Sequence, residues 1–195
     1  MKKIILISGK AENGKTTCAN MLQRQLFEDG YRTIIVRYAY YLKDIAKRFC
    51  KWNGVKDEKG RNLLQYLGTD IIRKKLNKPD FHVARVCEDI EICQDYFDYV
   101  IIDDTRFPNE IEYPIEKFGK DNVVTIRINR MDENDIYKPY VSSLTDEQKH
   151  HISEIALDNY DFDYYIITNS FEMMNEQLDQ IKRSAIDNKK VILEK

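Results

Sequence analysis

Lys3-Ile4-Ile5-Leu6-Ile7-Ser8-Gly9-Lys10-Ala11-Glu12-Asn13-Gly14-Lys15-Thr16 opens on a short apolar run and closes on the pattern G-x-x-x-x-G-K-[ST]. The run reads as a buried parallel strand. Beyond Thr16, the stretch Thr17 to Phe27 carries apolar residues at 18, 19, 22 and 26, which suits one face of a helix. A strand, a glycine loop and a helix in that order make a phosphate cradle. Main-chain N–H groups of Gly9, Ala11, Glu12, Asn13 and Gly14 through Thr17 can surround a polyphosphate, and the helix start adds favourable dipole charge. Lys15 can then reach the β- and γ-phosphates, and the Thr16 hydroxyl can ligate Mg²⁺. A chance glycine turn is the bland alternative, and the flanking strand and helix argue against it.

The rest of the chain is consistent with a nucleotide-binding domain. Its 195 residues suit a single domain. The net charge of −2 gives no general reason to bind nucleic acid or an acidic membrane. The apolar run at residues 4–7 is too short for a secretory signal, and no stretch is long enough to span a bilayer. Cys18, Cys50, Cys87 and Cys93 show no C-x-x-C spacing and read as reduced thiols used as small residues. A soluble, cytoplasmic chain is expected, with a homodimer left open.

Further apolar runs recur at Thr33–Val36, Tyr99–Ile102, Asn122–Ile128 and Asp163–Thr168. With the first, they predict five strands separated mostly by helices, hence a parallel sheet covered on both faces. Helical spacing covers about 40–53, 61–77 and 81–97, and another helix can begin at Pro108, with Pro114 interrupting its middle. The tail from Phe171 onward is helix-favouring. Two segments exceed a simple alternation: about 40–97, and the polar stretch 129–151, whose size predicts a mobile functional loop.

Asp103 and Asp104 end an apolar strand, where a carboxylate would serve Mg²⁺, and alternation does not choose between them. Arg106 offers a planar fork for a phosphate or a base edge, or an ion pair with Asp103 or Glu110. Arg127 reads as a cap on the sheet edge, whereas Arg130 lies past the strand and is better placed over a transferring phosphoryl group. Asn77-Lys78-Pro79-Asp80 and Asp57-Glu58-Lys59-Gly60 match guanine-nucleotide signatures, yet neither follows a buried strand, so both read as accidental.

With these residues assembled, the chain resembles the deoxynucleoside monophosphate kinases of phages and bacteria. The likeness rests on Tyr38 to Lys43, on the block Arg61 to Arg73 (R-x-x-L-Q-x-x-G-T-x-x-x-R), on Asp104 to Glu110 (D-x-R-F-x-N-E), on Arg130, and on His151 to Glu154 (H-x-S-E), all in order. Phe81 departs from it, standing where a larger Trp is expected after Pro-Asp. The resemblance implies an adenylate-kinase-like P-loop fold: three layers, α/β/α, on a five-stranded parallel sheet. Residues of about 40–97 would then form the acceptor-binding helical insertion and about 129–151 the lid.

It further implies ATP with Mg²⁺ as donor and a deoxynucleoside monophosphate as acceptor. Lys15, Arg106 and Arg130 would be catalytic, and Thr16 with Asp103 or Asp104 would hold the metal. Lys43, Arg61, Gln65, Thr69, Arg73, Arg106, His151 and Glu154 would contact the acceptor, His151 and Glu154 either by bonding each other or by recognising it. Arg61, Gln65 and Thr69 are spaced by four and share a helical face if the helix extends that far. Two other classes compete: a kinase on the same scaffold acting on a nucleoside, dephospho-coenzyme A or another phosphorylated metabolite, and a nucleotide-dependent regulatory binding protein.

Overall fold

A computed structural model describes residues 1–186. The part of the helix-favouring tail past 186 lies outside the described residues. Five strands form one parallel sheet: β1 (Lys3–Gly9), β2 (Thr33–Val36), β3 (Tyr99–Thr105), β4 (Val123–Arg130) and β5 (Tyr164–Thr168), in the spatial order β2-β3-β1-β4-β5. Every strand predicted from the apolar runs is present. β1 is central and covered on both faces, which is why its sequence is uninterrupted Ile and Leu rather than alternating.

Alternate residues of β1 feed two cores. Ile5 and Ile7 pack with Cys18, Leu22 and Leu26 of α1 (Lys15–Glu28) and with Met174 and Leu178 of α8 (Phe171–Ile181). Ile4 and Leu6 face the other way, against Val83, Val86 and Ile90 of α4 (Phe81–Cys93) and Ile111 of α5 (Asn109–Phe118). Burying each such side chain contributes about 1.5–3 kcal/mol. Helices on both faces of a parallel sheet complete the three-layer architecture predicted from the sequence.

Between β2 and β3 lie α2 (Ala39–Cys50), α3 (Glu58–Gln65) and α4, the helical insertion. α3 does not stop at Gln65 but widens into a π-helix over Tyr66–Lys75. α5 contains Pro114, which has no N–H to offer the carbonyl of Glu110. The phenol of the fully buried Tyr38 donates to that carbonyl instead, at 2.7 Å, so the helix survives its proline without an unsatisfied acceptor. The stretch after β4 folds back on itself: Met131 bridges Pro139, and two short helices follow, α6 (Asp146–Lys149) and α7 (Ile152–Ile155). Among the described residues no helix is long and apolar enough to cross a membrane. All four cysteines are free, with Cys18 and Cys87 buried.

Candidate functional site

The carboxyl ends of β1 and β3 lie side by side, and there the pairing slips. Leu6 pairs Ile102 and Ser8 pairs Thr105, so Asp103 and Asp104 together oppose the single residue Ile7. Such an irregularity re-aims side chains next to functional sites. It sends the two carboxylates to different tasks. Asp103 accepts the Thr16 Oγ1 hydroxyl at 2.7 Å and a bidentate pair from Arg37, Nε at 2.6 Å and Nη2 at 2.9 Å. Burial opposes its charge, but the Arg37 and Thr16 hydrogen bonds outweigh burial and hold its pKa below the ordinary carboxylate value. Asp104 accepts the amides of Tyr38 (2.9 Å) and Ala39 (3.1 Å), anchoring the start of α2, and burial raises its pKa. Of the two acids left as alternatives for the metal, Asp103 faces Thr16, whereas each oxygen of Asp104 accepts a main-chain amide.

Gly14, at φ 86°, turns the loop into α1. No side chain caps that helix start, and its first internal bond runs from Cys18 N to Gly14 O. The opening amides of α1 thus point into the cleft as donors for an anion. Lys15 Nζ donates to Gly9 O (2.7 Å) and Lys10 O (2.8 Å) across the loop. Burial, followed by the charge of Arg106, lowers its pKa to about 7. Gly9 itself does not reach the cleft wall, unlike Ala11 through Thr17. A Cβ at Gly9 would lie 2.8 Å from Ile128 O, so its part is to let β1 and β4 approach and to present a carbonyl to Lys15.

Ala11 to Thr17 border a single cleft of about 1110 Å³ that also reaches Lys43, Arg61, Gln65, Thr69 and Arg73. These last four are spaced by four along α3 and its π-helical extension. An α-helical step of four overshoots a full turn, and the wider π step falls short of one, so the two drifts offset and the stripe stays on one face. Lys43 makes no ion pair among the described residues; burial, then the nearby charge of Lys56, lowers its pKa. Arg61 donates to Glu12 Oε1 at 3.4 Å. Arg73 is more confined: it stacks 3.9 Å from the Phe107 ring centroid and donates to Glu110 (2.6 Å), Asn109 (3.2 Å) and the Pro79 carbonyl (2.8 Å).

Arg106 bonds Glu154, whose second oxygen accepts the Ala11 amide at 2.8 Å. One carboxylate therefore ties the phosphate loop to α7 and to the arginine after β3. His151 departs from its expected place. Its Nδ1 accepts the Ser153 amide and caps α7, and the ring lies outside the cleft wall. It bonds Ser153 Oγ rather than the Glu154 side chain. Arg130 stacks 4.0 Å from the Tyr140 ring centroid and reaches the Glu12 carbonyl and Glu133, so it overhangs the loop. Arg127 is buried beneath, bonding Ser8 and Asp158, and Asp158 also holds Lys10. The accidental guanine signatures fall where no strand supports them: Asp57 caps α3 by accepting the Gly60 amide, and residues 77–80 lead into α4.

Sequence reasoning missed Arg37, His82 and Phe171, and named Glu110 only as an ion-pair partner for Arg106. Arg37 follows β2 directly, and a basic residue at a strand's carboxyl end facing an acid pair was the available signal. Glu110 is buried; burial pushes its pKa up to about 7 against the pull of Arg73. Phe171, which lines the cleft beside the loop Thr168 to Ser170, is nevertheless exposed.

The strand order, the loop after β1 and the acid at the end of β3 together decide the architecture. The fold is a three-layer P-loop α/β fold. No protein-family model matches the sequence. The phosphomevalonate kinase of Drosophila melanogaster is 28% identical over 142 residues, spanning 68% of this chain and 70% of that protein. Among solved structures, an APS kinase of Mycobacterium tuberculosis is 13% identical with a TM-score of 0.41, covering 92% of this chain and 93% of that one. A shikimate kinase of Bacteroides thetaiotaomicron is 12% identical with a TM-score of 0.46, covering 92% and 96%.

Proposed function

We propose that this protein transfers the γ-phosphoryl group of Mg·ATP to the phosphate of a small phosphomonoester, a deoxynucleoside 5′-monophosphate, giving the diphosphate and ADP. The observation that carries this reading is the continuity of one cleft from the phosphate loop to the cations Lys43, Arg61 and Arg106. Such a cleft suits two anionic ligands facing each other. The attacking phosphate oxygen is already an anion, so no strong base is required, and positioning with charge neutralisation does most of the work.

Lys15 and the opening amides of α1 would hold the donor phosphates, with Arg130 above them. The exposed ring of Phe171, at the cleft beside the loop, offers a face for the donor's purine. Thr16 Oγ1 and Asp103, 2.7 Å apart, are the hard oxygen donors that Mg²⁺ takes alongside phosphate and water. When bound, the ion would supply positive charge to offset that of the phosphates. Arg37 moderates the charge of Asp103 and orients it.

The 28% identity to a phosphomevalonate kinase supports a second acceptor for the same chemistry, again a phosphomonoester. ADP release, followed with ATP and a panel of acceptors, tests both. The panel holds thymidine, deoxyguanosine, deoxycytidine and modified pyrimidine monophosphates, with phosphomevalonate beside them. Stimulation by a nucleoside monophosphate is expected. Stimulation by phosphomevalonate alone would overturn the nucleotide reading, and slow ADP release that no acceptor accelerates would point to a regulatory binding protein.

A further inference from the structure

His82 occupies the first turn of α4 and is 4% exposed. Neither Nδ1 nor Nε2 meets a hydrogen-bonding partner among the described residues. Leaving a buried polar atom unpaired costs about 1–3 kcal/mol, so native structures rarely tolerate it without a use. The other buried atoms in that condition, on Gln25, Thr33 and Thr105, do not line the cleft, whereas His82 forms part of its wall.

Its surroundings define what it can bind. Phe81 meets the ring edge-on at 5.2 Å between centroids. Arg73, on the same wall, has its guanidinium taken by Glu110, Asn109 and Pro79, so it does not serve the imidazole as a partner. Burial, then the positive charge of Arg73, lowers the imidazole pKa to about 4. The ring is neutral at pH 7 and offers one donor and one acceptor nitrogen. Elsewhere in the cleft the cationic side chains Lys43 and Arg61 are the better match for a phosphate or a carboxylate.

Resting on the phosphoryl-transfer reading above, we propose that His82 is a specificity-determining residue that hydrogen-bonds the uncharged heterocyclic end of the acceptor. An amide or imine edge of a nucleobase presents the neutral donors and acceptors that a neutral imidazole can pair. An acceptor ending in a carboxylate would instead face a buried ring with no charge to offer it. A site that hydrogen-bonds its ligand discriminates strongly against ligands lacking the matching group.

The test uses the full chain with thymidine, deoxyguanosine and deoxycytidine monophosphates. In His82→Phe the acceptor KM should rise about tenfold or more, with a smaller rise in His82→Gln and an unchanged KM for ATP. An acceptor KM within twofold of the wild type in His82→Phe would overturn the proposal. Ring ¹⁵N shifts of the wild-type protein, which has three histidines, provide a readout independent of any variant's folding. Adding the preferred monophosphate at pH 7 should move the His82 ring nitrogens while leaving the ring neutral, and unmoved signals would count against the role. If the wild type turns over phosphomevalonate but no nucleoside monophosphate, the parent reading fails first and this one falls with it. Turnover with flat His82 readouts would remove this inference alone.

Discussion

At the scale of single residues, the site is governed by how burial and neighbours set charge. Lys15 has a pKa lowered to about 7, chiefly by burial. Polyphosphate binds its ammonium form, so kcat/KM for ATP should fall as pH rises through 7, by up to tenfold per pH unit. In the complex the phosphates raise that pKa again, and kcat should stay level over the same range. A kcat/KM that holds constant to pH 9 would show that Lys15 does not gate donor binding. Glu110 poses a different problem. It and Arg73 are 5% and 11% exposed at their side chains, and they pair at 2.6 Å while Glu110 also accepts the Arg106 and Phe107 amides. Glu110→Gln leaves a buried guanidinium without its counter-charge, an expected loss of about 3 kcal/mol. Urea unfolding would measure it, and an unchanged midpoint would mean that the pair contributes nothing net. The two aspartates make the same point about context: identical side chains one residue apart, one turned to Thr16 and the other to two amides.

At the scale of elements, the strands were legible because β1 and β3 are buried and run apolar over Ile4–Ile7 and Tyr99–Ile102, while the buried β4 is rich in β-branched residues. The phosphate loop was legible because its spacing is dictated by a close main-chain approach to phosphate. The slip between β1 and β3 was not, since nothing in Asp103-Asp104 states that two residues will oppose one. Nor was the π-helix over Tyr66–Lys75, which no residue spacing there announces. Pro114 read as an interruption because its remedy, the Tyr38 phenol, lies 76 positions away in sequence. Likewise, the bond expected between His151 and Glu154 gives way to short-range capping, in which the ring accepts the Ser153 amide. α3 carries a prediction of its own. A Cβ on Gly60 would lie 2.2 Å from Val55 O and 2.8 Å from Trp52 Nε1, rigid groups that cannot give way cheaply. Gly60→Ala should therefore displace the start of α3, costing about 1–3 kcal/mol and raising the acceptor KM while leaving that for ATP little changed. Equal rises in both would argue against a separate acceptor wall.

At the scale of the whole molecule, Glu12 is where three parts meet. Its carboxylate sits on the phosphate loop, accepts the Ser143 amide at 2.8 Å from the folded-back stretch, and pairs with Arg61 of α3. Gln148 adds a second tie, donating to Asn62 at 2.9 Å. Glu12→Ala should loosen all three together: amide hydrogen exchange over 140–149 should speed up, and both KM values should rise. Faster exchange with both constants unchanged would separate the fold-back from ligand binding. The far rim of the sheet carries a different consequence. Among the described residues β5 pairs with β4 on one side only, and on its open side the Gln177 amide clasps the Ile167 backbone twice, accepting its N–H at 3.1 Å and donating to its carbonyl at 2.8 Å. A side chain thereby impersonates a neighbouring strand, and the rim offers no free rung at that point for a foreign chain to zip onto.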